Sequence, residues 1–389
     1  MKQPPLKTTI SILSLSTVSG ITTVITGIIP QLKQTYPTVP TTVIEWLVTI
    51  ANFSALATLL FNPFLTKKFG IRKVVITGLS LSALMGLIPA LTTSFSLIML
   101  SRVLLGLGIG LFSPHAISLI AHTYHGELRA RLLGYQTGLS ALGNAVLLGF
   151  AGLLIALSWQ AVFWLHAVLL IIAVLVYLFV PEPTTETDEP SVTKTVQLPK
   201  RQWRLIILTF ITYLLIWGVQ LKLPSYFENR HFGNGQVLNL TLSAMNIGGL
   251  IAGLTFGSLH KHLHRFTLTL GYAGAAFAVF FLWSTTNSTI AIGSAIFFNF
   301  IYSYTGPYLV FTSNDGLKSE QVNTLSSYLT IATIISAFFA PLVWNLLGKV
   351  GPLNLTDNVL LWIISILGLL AILTIITKPQ KGTINNVTK

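Results

Sequence analysis

Only a handful of side chains in this sequence could do ionic or acid–base chemistry away from water. Glu45, Arg102, His115, His166 and Lys222 fall inside long apolar runs. Ionisable groups in such runs are costly, and they usually mark a pathway or a site. Glu45 is the only carboxylate clearly within a run, near its outer end, so proton transfer by a carboxylate falls to it. The plainer alternative is a carboxylate at the membrane interface. His115, directly after Pro114, and His166 have the residue type that exchanges protons near neutral pH; each could equally be a hydrogen-bonded packing histidine. Arg102 either tunes a proton site or holds an anionic group, or else bonds backbone carbonyls and packs helices. Lys222, with Gln220 and Trp217, lies toward the end of its run, where it binds a solute or snorkels to the interface. Trp217, Tyr302 and Tyr308 are of a type that stacks on aromatic or cationic solutes.

The elements that must hold these residues are set by composition. The chain has 389 residues, 52% hydrophobic and only 8% charged. Soluble domains carry about a quarter charged residues, so most of this chain is not in water. Twelve apolar segments are long enough to cross a bilayer: 8–30, 42–64, 73–92, 95–121, 132–157, 159–180, 204–227, 237–259, 266–285, 288–312, 321–347 and 358–377. Backbone groups must be paired in lipid, and the runs do not alternate, so they read as helices. The first run is too long for a signal peptide and lacks a clear cleavage site. The fold class expected is an all-α membrane protein.

Charge placement gives the topology. With the N-terminus inside, 18 of the 23 Lys and Arg fall on the inner side, and only Lys33, Arg230 and Lys349 in outer loops. Basic loops stay cytoplasmic, so both termini are expected there, in what reads as a bacterial cell membrane. The net charge of +13 is thereby explained by insertion, which argues against nucleic acid as a partner. There are no cysteines, so thiolate chemistry is excluded. The tract His260-Lys261-His262-Leu263-His264 sits among cations that repel a metal ion, and no phosphate-binding loop is present. No metal and no cofactor are expected.

The longest hydrophilic stretch, 181–203, reads as a linker between an N-terminal six-helix bundle, 1–180, and a C-terminal one, 204–389. The basic loops after runs two and eight correspond when Leu65 is placed on Leu259, an offset of 194 residues. A basic loop at the same place in each half marks a duplicated unit.

With these features the chain resembles the major facilitator superfamily over nearly its whole length. The family's loop, Gly-x-Leu-Ala-Asp-Arg-x-Gly-Arg-Arg, is matched by Leu65, Lys68, Phe69, Gly70 and Arg72, while Pro63, Lys67 and Ile71 depart from it. Lys67 replaces the aspartate that latches the halves in the family, so the gating loop here is Lys67, Lys68, Gly70, Arg72 and Lys73. Arg102-x-x-x-Gly106-x-Gly108-x-Gly110 is similar to a second family motif. The glycine-rich fifth run is similar to that of drug–proton antiporters, with Gly143-Asn144 where those have Gly-Pro.

The resemblance implies two pseudo-symmetric bundles, with spans one, four, seven and ten around a central cavity. Thr22 and Thr26 in span one, and Asn299, Tyr302 and Tyr308 in span ten, are polar where a cavity is expected. Gln136, Asn144 and Asn246 join Trp217, Gln220 and Lys222 as further candidates. It implies a monomeric secondary transporter moving a small solute, with proton-coupled efflux of amphipathic compounds expected through Glu45, Arg102 or His115. An importer of a small metabolite is the close rival. An intramembrane enzyme would need clustered acids or histidines, and a sensor an added tail.

Overall fold

A computed structural model describes residues 5–182, 198–314, 317 and 319–376. Most of the expected linker, and the basic residues Lys2, Lys194, Lys318, Lys378, Lys381 and Lys389, lie outside them. The described chain is helical. Span one is Leu6–Thr35, span two Thr41–Phe69, span three Ile71–Leu91, span four Phe95–Thr123, span five Gly126–Leu154 and span six Gln160–Phe179. Span seven is Lys200–Asn229, span eight Gly235–Leu263, span nine Phe266–Ser284, span eleven Ser319–Leu347 and span twelve Leu355–Ile376. Span ten is split into Ser288–Tyr302 and Thr305–Asn314. Among the described residues, eleven helices are long and apolar enough to cross a membrane by themselves; span ten is the broken twelfth.

The helices run further than the apolar pattern. Span two continues through Pro63 to Phe69, and span seven begins at Lys200 rather than 204. Polar helix ends extend past the hydrocarbon, so an apolar count cannot find them. The breaks have local causes. In span ten Ser303 and Thr305 hydroxyls bond the carbonyls of Asn299 and Tyr302, and Pro307 has no N–H to continue the ladder. In span one, Thr17, Thr23 and Thr26 bond carbonyls three residues back, and Ile21–Ile28 winds as a 3₁₀ helix. Span four turns at Ser113–Pro114.

Within the first half, span four is clamped between spans two and three. A Cβ at Gly106 would sit 2.1 Å from the Ala51 carbonyl, and one at Gly110 2.2 Å from that of Ala55. Ser54 and Thr58 of span two donate to the Val103 and Leu107 carbonyls at 2.8 and 2.7 Å. The glycine motif is therefore a close helix crossing, stabilised by small residues as expected in lipid. Span three packs on span six, and span one on spans five and six. In the second half span seven packs on spans eleven and twelve, span nine on ten and twelve, and span eight on ten.

The halves meet where span two faces span eleven and where span five faces span eight. Spans five and eight run antiparallel. Gly152 faces Asn239 and Gly149 faces Ser243, toward the side opposite Leu6 and Ile376. On the side of those chain ends, Gly134 and Gly138 of span five and Gly253 and Gly257 of span eight have no neighbour within 4 Å. The bundles touch on one face and diverge toward the other.

Candidate functional site

Two of the charged residues, Glu45 and Lys222, meet at the closed end of this cleft. Glu45 of span two and Lys222 of span seven are fully buried, with Nζ to Oε1 at 2.5 Å. Asn345 of span eleven completes the group. Its Nδ2 donates to Glu45 Oε2 at 2.7 Å, and its Oδ1 accepts from Lys222 Nζ at 2.9 Å. Every member satisfies another, and the bond crosses from one half to the other. The interfacial carboxylate and the snorkelling lysine expected at shallow depth are instead a dry pair: the approach of span eleven covers both. Below it, Trp46 donates to the Phe338 carbonyl at 2.9 Å and stacks on the Phe338 ring, as does Phe53. Closer to the loops, Lys33 of span one donates to Ser225 at 2.9 Å, and Gln34 to Glu228 at 2.8 Å.

Arg102 does not join this pair. It is fully buried, its Nε donates to the Leu47 carbonyl and its Nη2 to that of Thr22, both at 3.0 Å. Its Nη1 lies 3.3 Å from His166 Nε2, and His166 Nδ1 lies 2.9 Å from the Phe163 carbonyl. These partners assign the neutral tautomer with the proton on Nδ1. Arg102 thus ties together spans one, two, four and six. His115 bonds Asn62 at 2.7 Å and Ser118 at 3.0 Å, while Asn62 donates to the Gly110 and Leu111 carbonyls. It braces the turn at Pro114 against span two.

The polar candidates divide into two groups. Asn144 of span five donates to Asn246 of span eight at 2.5 Å and accepts from Thr23 at 3.1 Å, so these amides sit on the seam between halves. Ser243 adds a bond across it to the Ala145 carbonyl at 2.7 Å. Thr22 bonds Asn52 at 3.2 Å, and Thr26 its own helix. Within the second half, Asn299 donates to the Met245 carbonyl at 2.6 Å, and Tyr302 donates to the Thr212 carbonyl. An open cavity of ≈ 750 Å³ lies between spans seven and ten, lined by Tyr213, Gly306, Pro307, Val310, Phe311 and Asn314. Tyr308 stands on the same turn of span ten, against His260 of span eight. Gln136, Trp217 and Gln220 are half-buried.

The loop after span two has met a carboxylate from the exit of span six. Gly70 holds φ at +85°, and the backbone N–H of Arg72 reaches Glu182 Oε1 at 3.3 Å. The Arg72 guanidinium donates to the Tyr177 carbonyl and lies over its ring. Glu182, at the exit of span six, therefore stands at the start of span three, where a helix N-terminus favours a negative group. Lys67, Lys68 and Lys73 are exposed. Among the described residues these bonds stay within the first half.

Sequence reasoning missed Asn345, Lys33 and Glu228 as members of the closed end, and Glu182 at the loop. Asn345 was visible as a lone amide among Leu, Val and Trp; its partner was not.

Comparison with known proteins agrees with this architecture. The profile of the Major Facilitator Superfamily matches residues 10–341. The chain is 28% identical over 271 residues to the cis,cis-muconate transport protein of Acinetobacter baylyi, covering 64% of this chain and 60% of that protein. It is 24% identical over 286 residues to the quinolone resistance protein NorA of Staphylococcus aureus, with 70% of each covered. The match to the multidrug transporter mfsC of Aspergillus fumigatus is 26% over 150 residues, 38% of this chain and 29% of that one. The chain thus spans well under two thirds of the length of some relatives it matches. The crystal structure of a D-xylose–proton symporter superposes with a TM-score of 0.74 at 17% identity, covering 95% of this chain and 98% of that one, a likeness of fold. The chain belongs to the Major Facilitator Superfamily and is an integral membrane protein.

Proposed function

We propose that this protein exports small amphipathic compounds in exchange for protons, with Glu45 as the coupling carboxylate. The observation that carries the proposal is the pair of Glu45 and Lys222, which joins the two halves at the closed face. Transport by alternating access requires that contact to part. Protonating Glu45 removes the charge that holds Lys222 and leaves a buried ammonium without a counter-charge. Breaking one side of a buried pair costs about 3–5 kcal/mol, enough to open the face and let Lys222 reach water. The pair re-forms, and the face re-closes, as the proton leaves Glu45 toward the inside. The basic loops put the open side in the cytoplasm, so the arrangement described here is the inward-open one, in a bacterial cell membrane. Proton entry with solute release on the outside, followed by proton release with solute loading on the inside, is exchange. The chain acts as a monomer, without cofactor or catalytic residue.

The solute class rests on what lines the inward cavity. None of the six residues around it is charged, and four are Tyr, Pro, Val and Phe. Arg102 is committed to carbonyls and Lys222 to Glu45, so neither cation is left for a carboxylate solute. NorA and mfsC are named for drug export. The likeness to a muconate transport protein favours a second reading, uptake of an organic acid.

Reconstitution in proteoliposomes separates these. Radiolabelled tetraphenylphosphonium should move against a pH gradient, and radiolabelled benzoate should not. Transport that ignores the gradient removes proton exchange. Unimpaired gradient-driven transport in Glu45→Gln removes Glu45 from the coupling. Movement of benzoate alone would establish the organic-acid reading instead.

A further inference from the structure

A second cavity, ≈ 270 Å³, lies on the closed face between spans one, seven and eight, apart from both the Glu45 pair and the inward cavity. We infer that it binds a small organic ammonium ion. Its polar lining is rich in acceptors. Gln31 Oε1 is buried with no hydrogen-bond partner. Glu228 presents a half-buried carboxylate whose Oε1 accepts from Gln34 at 2.8 Å, and among the described residues no cation lies within 4 Å of that carboxylate. Of the neighbouring cations, Lys33 lies close enough to feel Glu228 but gives its hydrogen bond to Ser225 at 2.9 Å, and Arg230 pairs with Asp357 at 3.3 Å. A buried acceptor without a donor is costly, and a carboxylate favours a charged donor over a neutral one. Phe227 and Leu238 supply an apolar wall for the body of the ligand. Drug-sized ligands occupy about 300–1,000 Å³, so this cavity takes something smaller, with one positive end and an apolar remainder. His231 closes the rim next to Glu228.

The lining comes from both halves. Gln31 and Gln34 belong to the first and Glu228, His231 and Leu238 to the second, so an occupant tethers the closed face and favours the inward-open state. Binding requires no proton gradient, and it stands or falls separately from the transport reading.

The experiment is thermal unfolding of the purified full chain with phenethylamine, charged at neutral pH, against 2-phenylethanol. The amine should raise the midpoint saturably by about 2 °C or more, and the alcohol should not. Glu228→Gln should abolish the shift. Gln31→Leu, which keeps the carboxylate, should weaken the apparent affinity about fivefold and decides the matter where Glu228→Gln fails to fold. Equal shifts with the alcohol, or an undiminished amine response in the variants, would overturn the inference and place the amine elsewhere.

Discussion

Duplication makes the two seams between the halves equivalent in the fold, spans two and eleven on one side, five and eight on the other, yet their chemistry differs. The first seam carries the Glu45–Lys222–Asn345 group, with Lys222 brought in from span seven, and the Trp46, Phe53 and Phe338 stack. The second is neutral and narrow. Asn144 meets Asn246, and Ser243 meets the Ala145 carbonyl. One seam has a contact that a proton can cancel. The other has contacts that pH leaves alone. A pair of seams built this way can release on one side while the other keeps the halves in register.

That contrast can be broken at its charged side first. Lys222→Met should have the largest effect, destabilising the closed face by about 3–5 kcal/mol because Glu45 stays buried without its counter-charge. The double variant with Glu45→Gln should recover much of it, read as unfolding midpoints of the singles and the double. Full additivity of the two would mean that the pair is not energetically coupled.

Beside the neutral seam, where spans one and five cross within the first half, steric effects come next. A Cβ on Gly143 would lie 2.2 Å from the Thr17 carbonyl oxygen. Gly143→Ala should therefore cost about 1–3 kcal/mol by forcing spans one and five apart. Gly138→Ala, where nothing lies within 4 Å, should leave the inward-open state unaffected and impair only the inward-closed one. Equal effects at the two positions would contradict the close crossing of spans one and five at Gly143.

Asn144→Ala should be milder. A hydrogen bond between membrane helices is worth about 0.6 kcal/mol on average, so the unfolding midpoint should fall slightly, by the same amount at each pH tested. A pH-dependent loss would move part of the switch to this seam.

The smallest effect is expected at the loop. Glu182→Gln should lower stability by about 0.3–1 kcal/mol through the start of span three, without changing gradient dependence. A change in coupling would show that Glu182 reaches beyond the first half.

Much of this was legible in the sequence. Lipid allows few backbone solutions, so long apolar runs gave the spans, and the basic loops gave an expected orientation. The glycines after Arg102 announced a close crossing because small residues have that use in a bilayer. The partners of the charges were not legible. Nothing local to Glu45 indicates Lys222, 177 residues away, or Asn345, 300 residues away; only the docking of the halves joins them. The same blindness left Arg102 open between solute and carbonyl, since its partners, the Leu47 and Thr22 carbonyls, carry no side-chain signature. Helix ends such as Lys200 escaped an apolar count because they lie in water.

The central claim is that Glu45 closes the outer face when ionised and releases it when protonated. The chain has no cysteine of its own, so spin labels can be placed at Thr38→Cys and Val350→Cys, in the loops after spans one and eleven on the closed face. Their separation should be short in the chain that keeps Glu45 and shift toward a longer population in Glu45→Gln, which carries the neutral side chain that protonation would produce. A separation that stays short in Glu45→Gln would contradict the account.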